Sequence, residues 1–158
     1  MVRVARFEKV SLRRFVTDWV ATFPQQTVEQ AVAAYERIRL PERATSGSAG
    51  YDLFAPVGFE LGAGEGIKIP TGLRVLIEEG WVLTIYPRSG LGFKYRFQLD
   101  NSVGVIDSDY AHSDNEGKTL IVPSGTAFAQ GIFLPFGITV DDHAQGVRNG
   151  GLGSTTGH

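Results

Sequence analysis

The chain of 158 residues contains no cysteine. That excludes disulfides, thiol nucleophiles and thiolate metal sites, and it leaves the redox compartment open. Histidine is scarce. His112, His143 and His158 cannot form a Cys/His zinc set, so a bound metal is expected to be a hard cation on oxygen ligands. No apolar run approaches membrane-spanning length, and the opening Met1-Val-Arg-Val-Ala-Arg-Phe7 has no stretch of secretion-signal length. Neither sign of charge is in excess. Fifteen Lys and Arg against seventeen Asp and Glu give a net charge of −2, with no general attraction to nucleic acid or an anionic membrane. The expectation is a soluble cytoplasmic protein that binds neither. Also missing are an internal repeat and any Gly-Lys-Ser/Thr phosphate loop.

Glycine is what the chain has in quantity, 20 residues, many in short loops beside Ser, Asn or Asp. Such loops can turn backbone N–H groups toward a ligand, and they separate short strands. The length fits one domain, residues 1–158. Residues 2–7 alternate in part and predict a strand. Ser11 is placed to cap a helix whose apolar face is Leu12, Phe15, Val16, Trp19 and Val20, ended by Phe23-Pro24. Thr27 and Gln30 have capping-box spacing, and Val28, Ala31, Val32, Tyr35 and Ile38 form the stripe of a second helix, stopped at Leu40-Pro41. This helical insertion over 11–40 carries nothing catalytic and reads as a packing or interaction appendage. From Arg43 the pattern changes to strands: into 51–55, then 59–61, 66–70, 72–77, 80–86, 97–99, 104–110, 119–122 and 127–135. Many short strands with regular turn signals predict an all-β-dominated sandwich or barrel. The tail after 147 has no core pattern and reads as flexible.

One stretch reads as a strand with a function: Gly104-Val-Ile-Asp-Ser-Asp-Tyr110. Gly104 permits a close approach of backbone, Val105 and Ile106 are expected to bury the strand, and Asp107 and Asp109 are expected to share one face because strand side chains alternate. A carboxylate held this way can activate a water. The plainer reading is a strand end running into a turn. Three other segments, 45–50, 87–92 and 148–157, are rich in Gly and hydroxyls, and two carry an arginine, Arg88 and Arg148, able to grip phosphate bidentately. Each alone is an ordinary turn. With Asp52, Asp107 and Asp109 they describe a phosphate and Mg²⁺ site, since Mg²⁺ takes one or two carboxylates and lets phosphates and waters complete its shell.

Taken in order, Ser48-Ala-Gly-Tyr-Asp-Leu53, Pro87-Arg-Ser-Gly-Leu91, Asn101 through Tyr110, Ala127-Phe-Ala-Gln130 and Arg148-Asn-Gly-Gly-Leu-Gly-Ser-Thr155 resemble the five motifs of the trimeric dUTPase family. The appendage resembles a family variant with an N-terminal helical insertion. The resemblance implies a distorted jelly-roll subunit, a homotrimer with sites between subunits, and hydrolysis of dUTP to dUMP and pyrophosphate with Mg²⁺, which keeps uracil out of DNA. It implies Asp107 as the base that activates water, Asp52 as the residue orienting Mg²⁺ through water, and Arg88, Ser89 and Gly90 as phosphate holders. Gln130 would hold phosphate or position the water. Asn101 and the backbone from Gly104 would read the uracil edge, and Tyr110 would lie under the deoxyribose and exclude a 2′-hydroxyl. Arg148, Ser154 and Thr155 would clamp the γ-phosphate as the C-terminal lid, 147–158, closes.

Two departures from the pattern stand out. Leu152 replaces the family's Phe, giving up aromatic stacking worth about 0.5–1.5 kcal/mol, so a weaker lid is expected. Between Tyr110 and the Gln130 motif, only Thr119–Val122 reads as a clear strand. His112-Ser-Asp-Asn-Glu-Gly117 reads as polar loop, as if one strand and its turn were missing, which would expose a sheet edge. His112 reads as a solvated loop residue rather than a base. Two other functions stay open at this point. A dCTP deaminase-like enzyme would need a Glu beside the cytosine amine, and Glu116 sits in a polar loop. A nucleotide-sensing interaction module would use residues 11–40 for a protein partner.

Overall fold

A computed structural model of the chain describes residues 2–100, 102–105, 110–113 and 119–143. Among them are eleven strands and three helices. The first strand, β1 (Ala5–Lys9), pairs antiparallel with β5 (Leu73–Ile77), with Phe7 opposite Val75. Between them in sequence come the two predicted helices. Helix α1 (Leu12–Thr22) starts where the Ser11 hydroxyl accepts from the Arg14 amide, and it buries Phe15 and Trp19, one turn apart. Helix α2 (Val28–Arg37) starts in a reciprocal capping box. The Gln30 amide donates to the Thr27 hydroxyl at 3.3 Å, and the Thr27 amide donates to Gln30 Oε1 at 2.8 Å. Its buried residues, Ala31 and Ala34, present no bulk, so the aromatic side of α1 fits against it.

The helical pair is seated on the β1–β5 end of the molecule through Gly72. This residue has φ +68°, and a Cβ there would come within 2.5 Å of Ile38 Cδ1 and 2.6 Å of Phe15 Cδ2. Only glycine satisfies both the left-handed backbone and the close approach. The Val10 amide donates to the Gly72 carbonyl, and the Tyr35 hydroxyl donates to the Val10 carbonyl, both at 2.8 Å.

The other strands are β2 (Tyr51–Phe54), β3 (Phe59–Leu61), β4 (Gly66–Lys68), β6 (Trp81–Pro87), β7 (Phe97–Leu99), β8 (Gly104–Val105), β9 (Tyr110–Ser113), β10 (Leu120–Val122) and β11 (Ala127–Pro135). They form a four-stranded sheet in the order β2-β11-β6-β8, a three-stranded sheet β4-β9-β7 and a pair β10-β3, all antiparallel. The alternation read from the sequence becomes one shared core. Leu83 and Ile85 enter it from the large sheet, Phe97 and Leu99 from the three-stranded sheet, Leu120 and Val122 from the short pair. This is an all-β-dominated, jelly-roll-type body with a helical corner.

Two sequence expectations need correction. The segment after Tyr110 does hold two strands. The stretch expected to be loop begins with β9, whose His112 is paired on one side with Gly66 and on the other with Gln98. Its polar residues hid it, because a central strand is held by backbone pairing on both edges rather than by its own apolar pattern. The expected missing strand is therefore present, and β9 closes the β4–β7 gap. The second correction is helix α3 (Ser89–Tyr95), which follows β6 directly where only a break was expected. Its two glycines lower helix propensity and masked it.

Candidate active site

The candidate site is built where three strands of the large sheet lie side by side. On β11, Gln130 is directly opposite Asp52 of β2 and directly opposite Tyr86 of β6. Residues opposite each other on antiparallel strands present their side chains to the same face. The chain thus brings Asp52 and Gln130, far apart in sequence, to adjoining positions. A bulge between Ala127 and Ala129 adjusts the register just before this point. Asp52 is further fixed by its amide, which donates to the Glu42 carbonyl at 2.8 Å.

One residue beyond β6, Arg88 caps the start of α3 in an extended conformation, and its amide donates to the Phe128 carbonyl at 3.1 Å. Its guanidinium Nε lies 3.5 Å from Asp52 Oδ1. The carboxylate is mostly covered, at 17% exposure, whereas the arginine side chain is 45% exposed. The arginine therefore reaches from a fixed acid toward solvent, where a phosphate could meet its remaining N–H groups. Ser89 and Gly90 open α3. The first bonds to the Arg88 carbonyl come from Leu91 and Gly92, at 3.0 and 2.9 Å, so the amides of Ser89 and Gly90 precede the helical ladder. Both residues are exposed, and a Cβ at Gly90 would meet nothing within 4 Å.

Gly104 lies on the other side of β6, opposite Ile85. It is buried, and a Cβ there would stand 3.0 Å from Ile85 Cβ. The close approach expected of this glycine is thus to the core side chain of the neighbouring strand. Tyr110 begins β9 as the backbone partner of Lys68. Asn101, Asp107, Asp109, Glu116, Arg148, Leu152, Ser154 and Thr155 lie outside the described residues.

Two contacts went unnoticed in the sequence. Arg43 precedes the Gly/Ser loop and donates from Nη1 to the carbonyls of Ser46 and Ser48, at 2.9 and 3.0 Å. Gly50 ends that loop with its Cα beside the Gln130 carboxamide. An arginine at the mouth of a loop rich in small residues was the available signal for the first. Nothing in the sequence signals the second, because the contact joins residues eighty positions apart.

Among the described residues no group of three or more His, Asp or Glu could hold a metal ion by itself. The single covered carboxylate of Asp52 beside Arg88 does fit Mg²⁺ carried by a polyphosphate, because such an ion keeps most of its shell in phosphate and water oxygens.

Comparison with known proteins converges on one family. A family profile described as dUTPase matches residues 36–156. A deoxyuridine 5′-triphosphate nucleotidohydrolase of Lactococcus lactis subsp. lactis is 39% identical over 132 residues, covering 75% of this chain and 88% of that protein. The enzyme of the same name from Burkholderia ambifaria is 43% identical over 136 residues, covering 75% and 90%. The crystal structure of dUTPase from Streptococcus mutans matches with a TM-score of 0.61 and 28% identity over 86% of this chain and 98% of that one. The dUTPase from phage phi11 of S. aureus, at 19% identity and a TM-score of 0.62, shares the fold over 92% of this chain and 98% of its own.

Proposed function

The chain belongs to the dUTPase family, and from that premise we propose that it is a dUTP diphosphatase, hydrolysing dUTP with one water to dUMP and pyrophosphate in the presence of Mg²⁺. The observation that carries the reading is the meeting of Asp52 and Gln130 on adjoining strands with Arg88 just beyond the end of a third, and with two helix-opening amides beside them. These are donors and one acid set for a polyphosphate on a half-exposed face of the sheet.

In this reading Arg88 grips a phosphate through the N–H groups that Asp52 leaves open, and Ser89 and Gly90 offer amides to the same group. Donors fixed before the reaction stabilise charge where it develops, each worth about 10²–10³ in rate. Bound Mg²⁺ would neutralise the polyphosphate and orient it, with Asp52 facing its water shell. Asp107 takes the proton of the attacking water, and Gln130 positions that water or a phosphate oxygen. Asn101 and the backbone at Gly104 read the uracil edge, and Tyr110 excludes a ribose. The lid, 147–158, brings Arg148, Ser154 and Thr155 onto the γ-phosphate and Leu152 over the base, and shuts out water. The whole of 1–158 acts as one domain, working as a homotrimer, with the insertion over 11–40 available to a protein partner.

Pyrophosphate release from dUTP with Mg²⁺, compared with dTTP, dCTP and UTP, tests the function. Release from dUTP alone is expected; ammonia from dCTP would overturn it in favour of deamination. Asp107→Asn is expected to keep nucleotide binding and lose turnover by about 10²–10⁴-fold, the worth of a general base. Substantial residual hydrolysis would remove Asp107 from that role.

A further inference from the structure

Gly50 is in none of the roles assigned above, yet its Cα faces the Gln130 carboxamide. A Cβ at this position would stand 2.8 Å from Gln130 Oε1, while its distances to Gln130 Cβ and Cδ, 3.5 Å each, are ordinary contacts. The backbone at Gly50 is not in the left-handed region, so glycine is not required there by its own conformation. What glycine provides is room, and only at the tip of one side chain.

The backbone on both sides is tied. Upstream, Arg43 holds the carbonyls of Ser46 and Ser48, and the hydroxyls of Thr45 and Ser48 are bonded at 2.8 Å. Downstream, Tyr51 is paired with Gly131, and the Asp52 amide donates to Glu42. A methyl added at Gly50 therefore cannot be absorbed by recoil of the loop. The part able to move is the end of the Gln130 side chain, whose displacement costs little folding energy because it rotates about soft torsions. We infer that Gly50, clamped by the Arg43-tied loop, is a positioning residue that sets where the Gln130 carboxamide points and so tunes its action on the nucleotide.

The inference rests on the role of Gln130 in dUTP hydrolysis, and two readouts separate them. In Gly50→Ala the thermal midpoint should be unchanged, while kcat on dUTP should fall on the order of 10–10²-fold, the cost of a misplacement near 1 Å, with KM little moved. In a Gln130→Ala background the same change should cost nothing further, because its target is gone. Additive losses would overturn the inference, as would full activity in Gly50→Ala. Independently of turnover, the side-chain amide NMR signals of Gln130, identified by their loss in Gln130→Ala, should shift in Gly50→Ala; unshifted signals would refute the contact even in a protein that did not hydrolyse dUTP. Hydrolysis that survives Gln130→Ala at full rate would instead remove Gln130 from the mechanism, and Gly50 with it.

Discussion

The helical corner and the strand junction use opposite materials. In the corner, Phe15 and Trp19 are sealed with Tyr35 and Phe23 half-buried beside them; the Phe15–Trp19, Phe15–Tyr35 and Trp19–Phe23 centroids lie 4.9–5.5 Å apart, and the Trp19 indole donates to Gln26 Oε1 at 2.8 Å. At the junction, the side chains that matter reach partly into solvent, and small residues make room for them. Full burial of such a ring is worth several kcal/mol, whereas the Arg88–Asp52 pair, with its arginine 45% exposed and its closest approach 3.5 Å, contributes about 0–1 kcal/mol to folding. One region is closed by packing; the other leaves its groups open to a ligand. Substitution should therefore separate stability from turnover by place.

The strongest test of that separation is Trp19→Ala. Trp19 has no solvent exposure, and truncation of such a ring costs about 3–5 kcal/mol, with the Gln26 carboxamide left without its donor. For a chain of this size that is a drop on the order of 6–20 °C in thermal midpoint. Below the new midpoint, kcat on dUTP should be near that of the parent. A variant that keeps its midpoint would show that the corner is an ornament; one that is folded but inactive would tie the corner to the site.

Arg88→Ala is the reverse experiment. Losing a phosphate donor should lower kcat by about 10²–10³-fold, or about 3–4 kcal/mol of transition-state stabilisation, while calorimetry should show a midpoint within a few degrees of the parent. A large loss of stability with little loss of rate would reverse the comparison, making Arg88 a structural tether of Asp52.

The same contrast explains what the sequence disclosed. Helices α1 and α2 were legible to their caps because periodicity, Ser11 and the Thr27–Gln30 box all act within a few residues. Asp52, Arg88 and Gln130 were legible as separate motifs, but their meeting depends on the register of β2, β11 and β6, which no local pattern fixes. Helix α3 was hidden because Gly90 and Gly92 argue against a helix, and the turn is set by its tie to Phe128 instead. Strand β9 was hidden for the converse reason, since neighbours on both edges impose a strand on residues with no alternation. Gly72 showed only as the first residue of the strand read over 72–77; its function as the seat of the helices required knowing that Phe15 and Ile38 converge on it.

The smallest effect expected lies at the surface of the corner. Thr27→Ala removes a hydroxyl that accepts from the Gln30 amide and also hydrogen-bonds to Glu29. The lost cap should cost about 1 kcal/mol, read as a shift of a few degrees in midpoint at neutral pH. The Glu29 carboxyl is held below its usual value of 4.5, first by a hydrogen bond from its own backbone amide and then by Thr27. A carboxyl depressed in the folded state contributes stability above its unfolded pKa, and that contribution is lost as pH falls through the folded value. The parent should therefore lose a little stability on this account as pH drops below about 4.5, and Thr27→Ala should lose less, because one of the two bonds that depress Glu29 is already gone. The gap between the two midpoints should narrow in acid. If it stays constant with pH, Thr27 acts only through Gln30; if kcat moves as well, the corner and the junction are not independent after all.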